Sequence, residues 1–175
     1  MLRTSFLLAG LVTLVPACPL LSVQADVQEV CLTYRGVSIP GVPGGGSISQ
    51  SFNFDELQGA KGLADAGAQL TFTHAEVRAT GGVPSFSFVQ HAELSIASGD
   101  PNSTLPTLSI FNCDGCGNAT TTLDVANATS SPAQDYMKTG SLVVTIDFTG
   151  TLPATDWTAD VDICMTGTID YTVSP

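Results

Sequence analysis

The sequence is poor in basic residues. It has 5 Lys and Arg against 16 Asp and Glu in 175 residues, which gives a formal charge of −11 at pH 7. A protein that binds nucleic acid neutralises phosphates with a basic stripe, and a protein that docks on anionic lipid through charge needs a basic cluster. The shortage of Lys and Arg therefore predicts that the chain binds neither nucleic acid nor an anionic membrane surface by charge.

Charged residues of either sign are scarce, at 12% of the chain, whereas 43% of the residues are hydrophobic. Intrinsically disordered chains have the opposite balance, so this composition predicts a folded protein. The length suits one domain with a buried core. After residue 25 no apolar run reaches the roughly 20 residues that a transmembrane helix needs.

The first 25 residues have the pattern of an export signal. Arg3 supplies a positive charge, and the apolar run Phe6–Val15 has the length of a signal-peptide core but is too short to cross a bilayer. The stretch Val23-Gln-Ala25 has small or medium-sized residues at the positions that signal peptidase recognises, which predicts cleavage before Asp26. The sequence therefore predicts an export signal at 1–25 and one mature domain at 26–175.

A second way of processing the signal stays open. The stretch Val15-Pro-Ala-Cys18 resembles a bacterial lipobox, in which residues 1–17 are removed and Cys18 carries a lipid anchor. Both alternatives predict an extracytoplasmic protein, which is secreted, periplasmic or an outer-membrane lipoprotein.

Apolar and polar residues alternate through most of the mature chain, which is the pattern of half-buried β-strands. The clearest runs are Phe86–Ile96, Leu142–Phe148 and Trp157–Tyr171. With turn signals between the runs, the pattern predicts an all-β antiparallel sandwich of two sheets and about seven or eight strands, with a β-barrel as the alternative. A phase slip near His74 predicts a β-bulge. One short helix is expected between an N-cap at Ser131, with Pro132 in the first turn, and Gly140.

Four cysteines remain after the predicted cleavage. Cys31 and Cys164 share the polar phase of their strands, so we expect both to face outward and to bridge two neighbouring strands. Cys113 and Cys116 would then close a Cys-x-x-Cys loop. A redox site at this pair and a zinc site using all four cysteines are the alternatives to simple structural bridges.

The sequence offers no catalytic constellation. Neither histidine lies in a ligand-spaced cluster, and no Gly-x-Ser-x-Gly motif occurs. If the last two strands form a hairpin, the outward carboxylates of Asp147, Asp160 and Asp162 come near one another and could hold Ca²⁺. Otherwise they form a solubilising surface. We therefore predict a non-enzymatic protein with no cofactor other than this candidate calcium ion.

Three Asn-x-Ser/Thr sequons, at Asn102, Asn118 and Asn127, would accept glycans in a eukaryotic secretory pathway.

Three stretches resemble uncharacterised bacterial secreted and envelope lipoproteins with a β-sandwich fold: Phe86–Ile96, Asp135–Lys138, and Leu142–Phe148 with the following Asp156-Trp157. The resemblance implies a fold and a cell-envelope location, without active residues. The leading hypothesis is an exported sandwich with a surface, structural or binding role, with a protein or glycan ligand at its loop ends. The alternatives are a carbohydrate- or calcium-binding module and a secreted redox protein.

Overall fold

A computed structural model describes residues 21–54, 57–125 and 132–173. Cys18, most of the predicted export segment and the sequon at Asn127 lie outside these residues.

The described chain forms two four-stranded antiparallel sheets. The strands are β1 (Leu21–Ile39), β2 (Gly46–Phe54), β3 (Gln69–Gly81), β4 (Val89–Ser98), β5 (Leu108–Asp114), β6 (Thr122–Val125), β7 (Leu142–Gly150) and β8 (Trp157–Val173). The strand order is β1-β8-β3-β6 in the first sheet and β2-β7-β4-β5 in the second. This confirms the predicted two-sheet sandwich over the barrel.

The core lies between the two sheets and follows the period-two pattern of the sequence. In β7, every second residue from Leu142 to Phe148 is buried, and the residues between them are half-buried. Inward-facing aliphatic and aromatic side chains of both sheets are removed from water together, which provides the main driving force for folding. The largest fully buried side chains are Phe72, Phe86, Phe148, Ile39, Leu57, Leu70, Ile96, Ile110, Leu123, Met137, Leu142 and Ile146.

Within the described residues, two helices cover part of the core, α1 (Gln58–Asp65) and α2 (Gln134–Lys138); α2 is the short helix expected from the sequence, and α1 is an additional one. The glycines at 59 and 62 lower the helix propensity of α1. Its buried residues Ala60 and Ala64 pack into the hydrophobic core and outweigh that cost. The second helix is shorter than predicted because Pro132 pairs with Thr71 of β3 instead of opening the helix. No helix in the described ranges is long and apolar enough to cross a membrane.

Bulges interrupt the first sheet. The predicted irregularity near His74 is confirmed, since the register of β3 against β8 shifts between Phe72 and His74. Strand β1 has two more register shifts, between Val27 and Val30 and between Tyr34 and Val37. Each places extra residues on one strand and changes which side chains face outward.

Strand β1 begins before the predicted cleavage point. Ala25 lies opposite Ile169 of β8, and the pairing extends from Leu21 opposite Val173. If the chain is cleaved before Asp26, the edge strand β1 begins at Asp26 and lacks its first five described residues, 21–25.

The last two strands do not form the hairpin expected from the sequence. Strands β7 and β8 belong to different sheets, and residues 151–156 cross from one sheet to the other with Leu152 buried. The crossing is fixed by the amide of Val42, which donates to the Pro153 carbonyl at 2.7 Å, and by the Gly41 amide, which donates to Asp156 at 2.9 Å.

Candidate functional site

The Cys31–Cys164 disulfide lies on the outer face of the first sheet. The two residues are directly opposite each other on β1 and β8, with their Cα atoms 4.0 Å apart. The predicted pairing is therefore present. Cys31 is exposed as expected, but Cys164 is only 1% exposed. The reason is that β8 is an interior strand, so Cys31 on one side and His74 on the other both lie opposite Cys164.

Ionisable and hydroxyl groups adjoin this disulfide, and we call Glu29, Cys31, Thr73, His74 and Cys164 the disulfide cluster. The Thr73 hydroxyl donates to the Glu29 carboxylate at 2.9 Å, and His74 Nδ1 lies 3.4 Å from the same oxygen. The Glu29 oxygen and both sulfur atoms lie within 4.8 Å of one another. Zinc binds thiolates, so this set becomes a ligand set only after the disulfide is reduced.

An open groove lies beside the disulfide cluster, where β1, β3 and β8 run together. Its volume is about 510 Å³, and it is lined by Asp26, Val27, Gln69, Thr71, Thr166, Gly167 and Thr168. Five of these seven residues have polar side chains, and none is aromatic. A ligand here would be held by hydrogen bonds to hydroxyl, amide and carboxylate groups.

Two of the predicted calcium ligands lie further along the same face and already have partners. Asp160 is 9% exposed. It accepts a hydrogen bond from the Gly36 amide at 2.9 Å and lies 3.5 Å from the Arg35 guanidinium. Asp162 accepts a hydrogen bond from Thr33 and lies 3.7 Å from Arg78.

Arg78 connects these carboxylates to a third one. Its guanidinium donates to Glu76 on the same strand. The hydrogen bond and charge of Glu76, followed by the charges of Asp162 and Asp160, raise the pKa of Arg78 above its usual value. The face is therefore a row of ion pairs, which compensates part of its negative charge.

The third predicted calcium ligand is elsewhere. Asp147 of β7 lies opposite Ser49 of β2 and Glu93 of β4 in the second sheet, whereas Asp160 and Asp162 belong to the first sheet. The predicted calcium site is not assembled, because it depended on a hairpin between strands that belong to different sheets.

The second disulfide, Cys113–Cys116, closes a loop at the end of β5. Both cysteines are half-buried. Asp114, between them, lies 2.7 Å from His91 Nδ1 on β4. Since the two disulfides pair as predicted, the four cysteines are divided between two places and do not form one zinc site.

Sequence reasoning missed both histidine pairs, His91 with Asp114 and His74 with Glu29. Each pair depends on which strands are neighbours and in what register, and the alternation of polar residues carries no such information. The bulge near His74 was the one available signal, because it moves His74 into the row opposite Cys164.

Two of the sequons lie in described loops. The Asn102 side chain is exposed and donates to Asp100 at 3.3 Å. Asn118 is half-buried, and its amide donates to the Thr122 carbonyl at 3.0 Å. The Asn118 amide nitrogen is thus occupied within the folded loop.

No protein-family model and no curated protein matches the chain. Among solved structures, it is similar to the infectious bursal disease virus VP2 subviral particle, with 14% identity over 79% of this chain and 32% of that chain and a TM-score of 0.39. It is also similar to the decameric BFDV capsid protein (14% identity, 84% and 98% coverage, TM-score 0.37) and to cocksfoot mottle virus (12% identity, 100% and 98% coverage, TM-score 0.32). These values are too low to carry a functional assignment.

Proposed function

We propose that the protein is an exported β-sandwich with a structural or binding role at the cell envelope or outside the cell, and that it is not an enzyme. The observation that carries the proposal is the Cys31–Cys164 disulfide, supported by the second bridge at Cys113–Cys116. Disulfides form and persist in oxidising compartments and are rare in the reducing cytosol.

The surfaces of the first sheet favour a structural or binding role. The carboxylates of Asp160 and Asp162 take part in ion pairs and hydrogen bonds that stabilise the sheet. The groove at Asp26 and Gln69 is open and offers hydroxyl, amide and carboxylate groups, which suits a glycan or a polar segment of a protein. We propose no cofactor.

Intact mass of the protein from its own host, measured without reduction, tests the proposal. We expect a chain that begins at Asp26, or at a lipid-bearing Cys18, and that has lost two hydrogens for each of two disulfides. The same sample, reduced and alkylated, is the control and should gain four alkyl groups. A chain that retains Met1 and contains free thiols would contradict export.

A second candidate function is thiol–disulfide exchange at Cys113 and Cys116. The observation in its favour is the Asp114–His91 contact of 2.7 Å beside two half-buried cysteines. In the reduced protein, the thiolate of one cysteine would attack a substrate disulfide and form a mixed disulfide. The other cysteine would then displace the substrate dithiol and restore the Cys113–Cys116 bridge, so two electrons pass to the substrate.

Reduction of insulin by dithiothreitol, with the protein as catalyst, tests this candidate. We expect the wild-type rate to fall to the background rate when Cys113 and Cys116 are both replaced by Ala. Replacement of Cys31 and Cys164 by Ala is the matched control and should leave the rate unchanged. A wild-type rate equal to the background rate removes the redox candidate and leaves the export proposal untouched.

A further inference from the structure

As far as the chain is described, the sandwich has four edge strands, and three of them carry features that discourage pairing with another chain. An edge strand offers unpaired amides and carbonyls, which natural proteins protect with bulges, charges or short length. Strand β1 has two register shifts. Strand β6 is only four residues long in the described part of the chain, and one of the four is Asp124. Strand β5 has a register shift against β4 and ends in the Cys113–Cys116 loop.

Strand β2 has none of these features. It is nine residues long and pairs with β7 in an unbroken register from Gly46 opposite Gly150 to Phe54 opposite Leu142. It contains no charged residue and no proline, in a chain whose formal charge is −11. Within the described residues, no strand pairs with its other side.

One hydrogen bond indicates which backbone groups of β2 face this open edge. The side-chain amide of Gln50 donates to the carbonyl of Ser51 at 3.2 Å. In an antiparallel strand, the amide and carbonyl of one residue point to the same side, and the side alternates along the chain. The backbone groups of Ser49 and Ser51 would then face the open edge, and those of Gln50 would face β7.

We infer that a second copy of the chain pairs with this edge, β2 antiparallel to β2, around a two-fold axis at Gln50. Ser49 of each copy would lie opposite Ser51 of the other, so that both exchange backbone hydrogen bonds. The same register places half-buried Ile48 opposite Phe52 on the core side and serine opposite serine on the outer side. The two second sheets would form one continuous eight-stranded sheet through an isologous contact.

The lack of charge on β2 argues against a basic partner at this edge, because the strand has no carboxylate with which such a partner would pair. Two copies of so acidic a chain repel each other, and an uncharged strand is where they can approach at least cost. On the neighbouring strand β7, a carboxylate, that of Asp147, lies opposite Ser49. Across the joined sheet, the two Asp147 residues would be three strand spacings apart, about 14 Å. That exceeds the Debye length of about 10 Å at 0.1 M salt, so their repulsion is largely screened.

Light scattering after size exclusion, over a range of concentrations, tests the inference. We expect the wild-type chain to reach twice the mass of one chain as concentration rises, and less readily at low salt. Ser51→Lys should halve that mass, because it places a like charge on each side of the two-fold axis. Ser49→Pro should do the same by removing an amide that faces the open edge and not β7.

Ser109→Lys is the matched control, because Ser109 is an exposed serine on β5, the other edge of the same sheet. It should leave the dimer mass unchanged. Circular dichroism of the three variants checks that each is folded, and Ser51→Lys carries the test if Ser49→Pro does not fold. A wild-type chain that stays monomeric overturns the inference and leaves the edge for another partner. A folded Ser51→Lys chain that remains dimeric also overturns it.

Discussion

Asp160 shows how one carboxylate can serve the fold instead of a ligand. It is 9% exposed on an outer face, next to the bulge between Tyr34 and Val37 of β1. Gly36, in this bulge, has a φ of +67°, which favours glycine. Its amide donates to Asp160 instead of to the strand ladder. The carboxylate therefore compensates the hydrogen bond that the bulge removes.

Replacing Asp160 and Arg35 in turn separates the contribution of the hydrogen bond between the Gly36 amide and Asp160 from that of the Arg35–Asp160 ion pair. Asp160→Ala leaves the Gly36 amide without its acceptor and should lower the free energy of unfolding by about 1–3 kcal/mol. Arg35→Ala should lower it by at most about 1 kcal/mol, because the Arg35 side chain is 78% exposed. Urea unfolding measures both. Equal losses of unfolding free energy in the two variants would show that the ion pair, and not the hydrogen bond from the Gly36 amide, provides the stability.

Tyr136 predicts a dependence of stability on alkaline pH. Its hydroxyl donates to the Pro106 carbonyl at 2.7 Å. Burial, and secondly the charge of Asp135, raise the pKa of Tyr136 above its usual value. The folded state thus holds this proton more tightly than the unfolded state. The protonated Tyr136 hydroxyl therefore contributes to the free energy of unfolding. This contribution is complete below the pKa of about 10 that tyrosine has in the unfolded chain, and it is lost as pH rises through the higher pKa of the folded state.

Tyr136→Phe should therefore be less stable than wild type by about 1 kcal/mol at neutral pH, and the difference should shrink above about pH 10. Urea unfolding of both proteins at a series of pH values gives the measurement. A difference that stays constant through the alkaline range would argue against a role for this hydroxyl.

At the scale of elements, the two disulfides close loops of very different length. Cys31 and Cys164 are separated by 133 positions, and Cys113 and Cys116 by three. The loop-entropy model relates stabilisation to the logarithm of loop length, which gives about 5 kcal/mol for the long loop and about 2 kcal/mol for the short one.

We expect two variants, each with one cysteine pair replaced by two alanines, to show this order of stabilisation in the midpoints of their urea unfolding. The Cys31/Cys164 variant should lose more free energy of unfolding than the Cys113/Cys116 variant. The unchanged bridge in each protein serves as the internal control, verified by mass. The reverse order would mean that effects in the folded state dominate over loop closure.

The sequence predicts strands well and strand neighbours poorly, and β7 and β8 illustrate why. Alternation reveals which side chains face inward, because one face of each strand is buried. It does not reveal which sheet a strand joins. The expected hairpin failed for this reason, whereas Cys31 and Cys164 were paired correctly because a disulfide requires neighbouring strands. Helix α1 was not counted among the expected elements because its glycines are unfavourable locally, and the packing of Ala60 and Ala64 compensates for them.

At the scale of the whole molecule, an aromatic cluster joins the two sheets. Phe148 of β7 and Trp157 of β8 contact each other with ring centroids 5.8 Å apart. Phe86, in the segment between β3 and β4, contacts both rings. The two strands that were expected to pair in one hairpin thus contact each other across the sandwich instead.

Phe148→Ala should cost about 3–5 kcal/mol, because Phe148 is 1% exposed and its removal leaves a cavity between the sheets. Phe88→Ala is the matched control. Phe88 also contacts Trp157, at 5.7 Å, but it is half-buried and should cost less. The fluorescence of Trp157, the single tryptophan, follows unfolding in both variants. A larger loss for Phe88→Ala would contradict the described packing.

The pairing of β1 with β8 also determines how the molecule would respond to a pulling force. Asp26 and Thr168 lie side by side, so tension applied at these two residues would open the backbone hydrogen bonds between the strands one after another. The opening would stop at Cys31–Cys164, where a covalent bond carries the load. The chain between the two cysteines, which contains β2 to β7, would remain outside the loaded path. A sandwich held in this way could transmit tension between two attachments without unfolding its core.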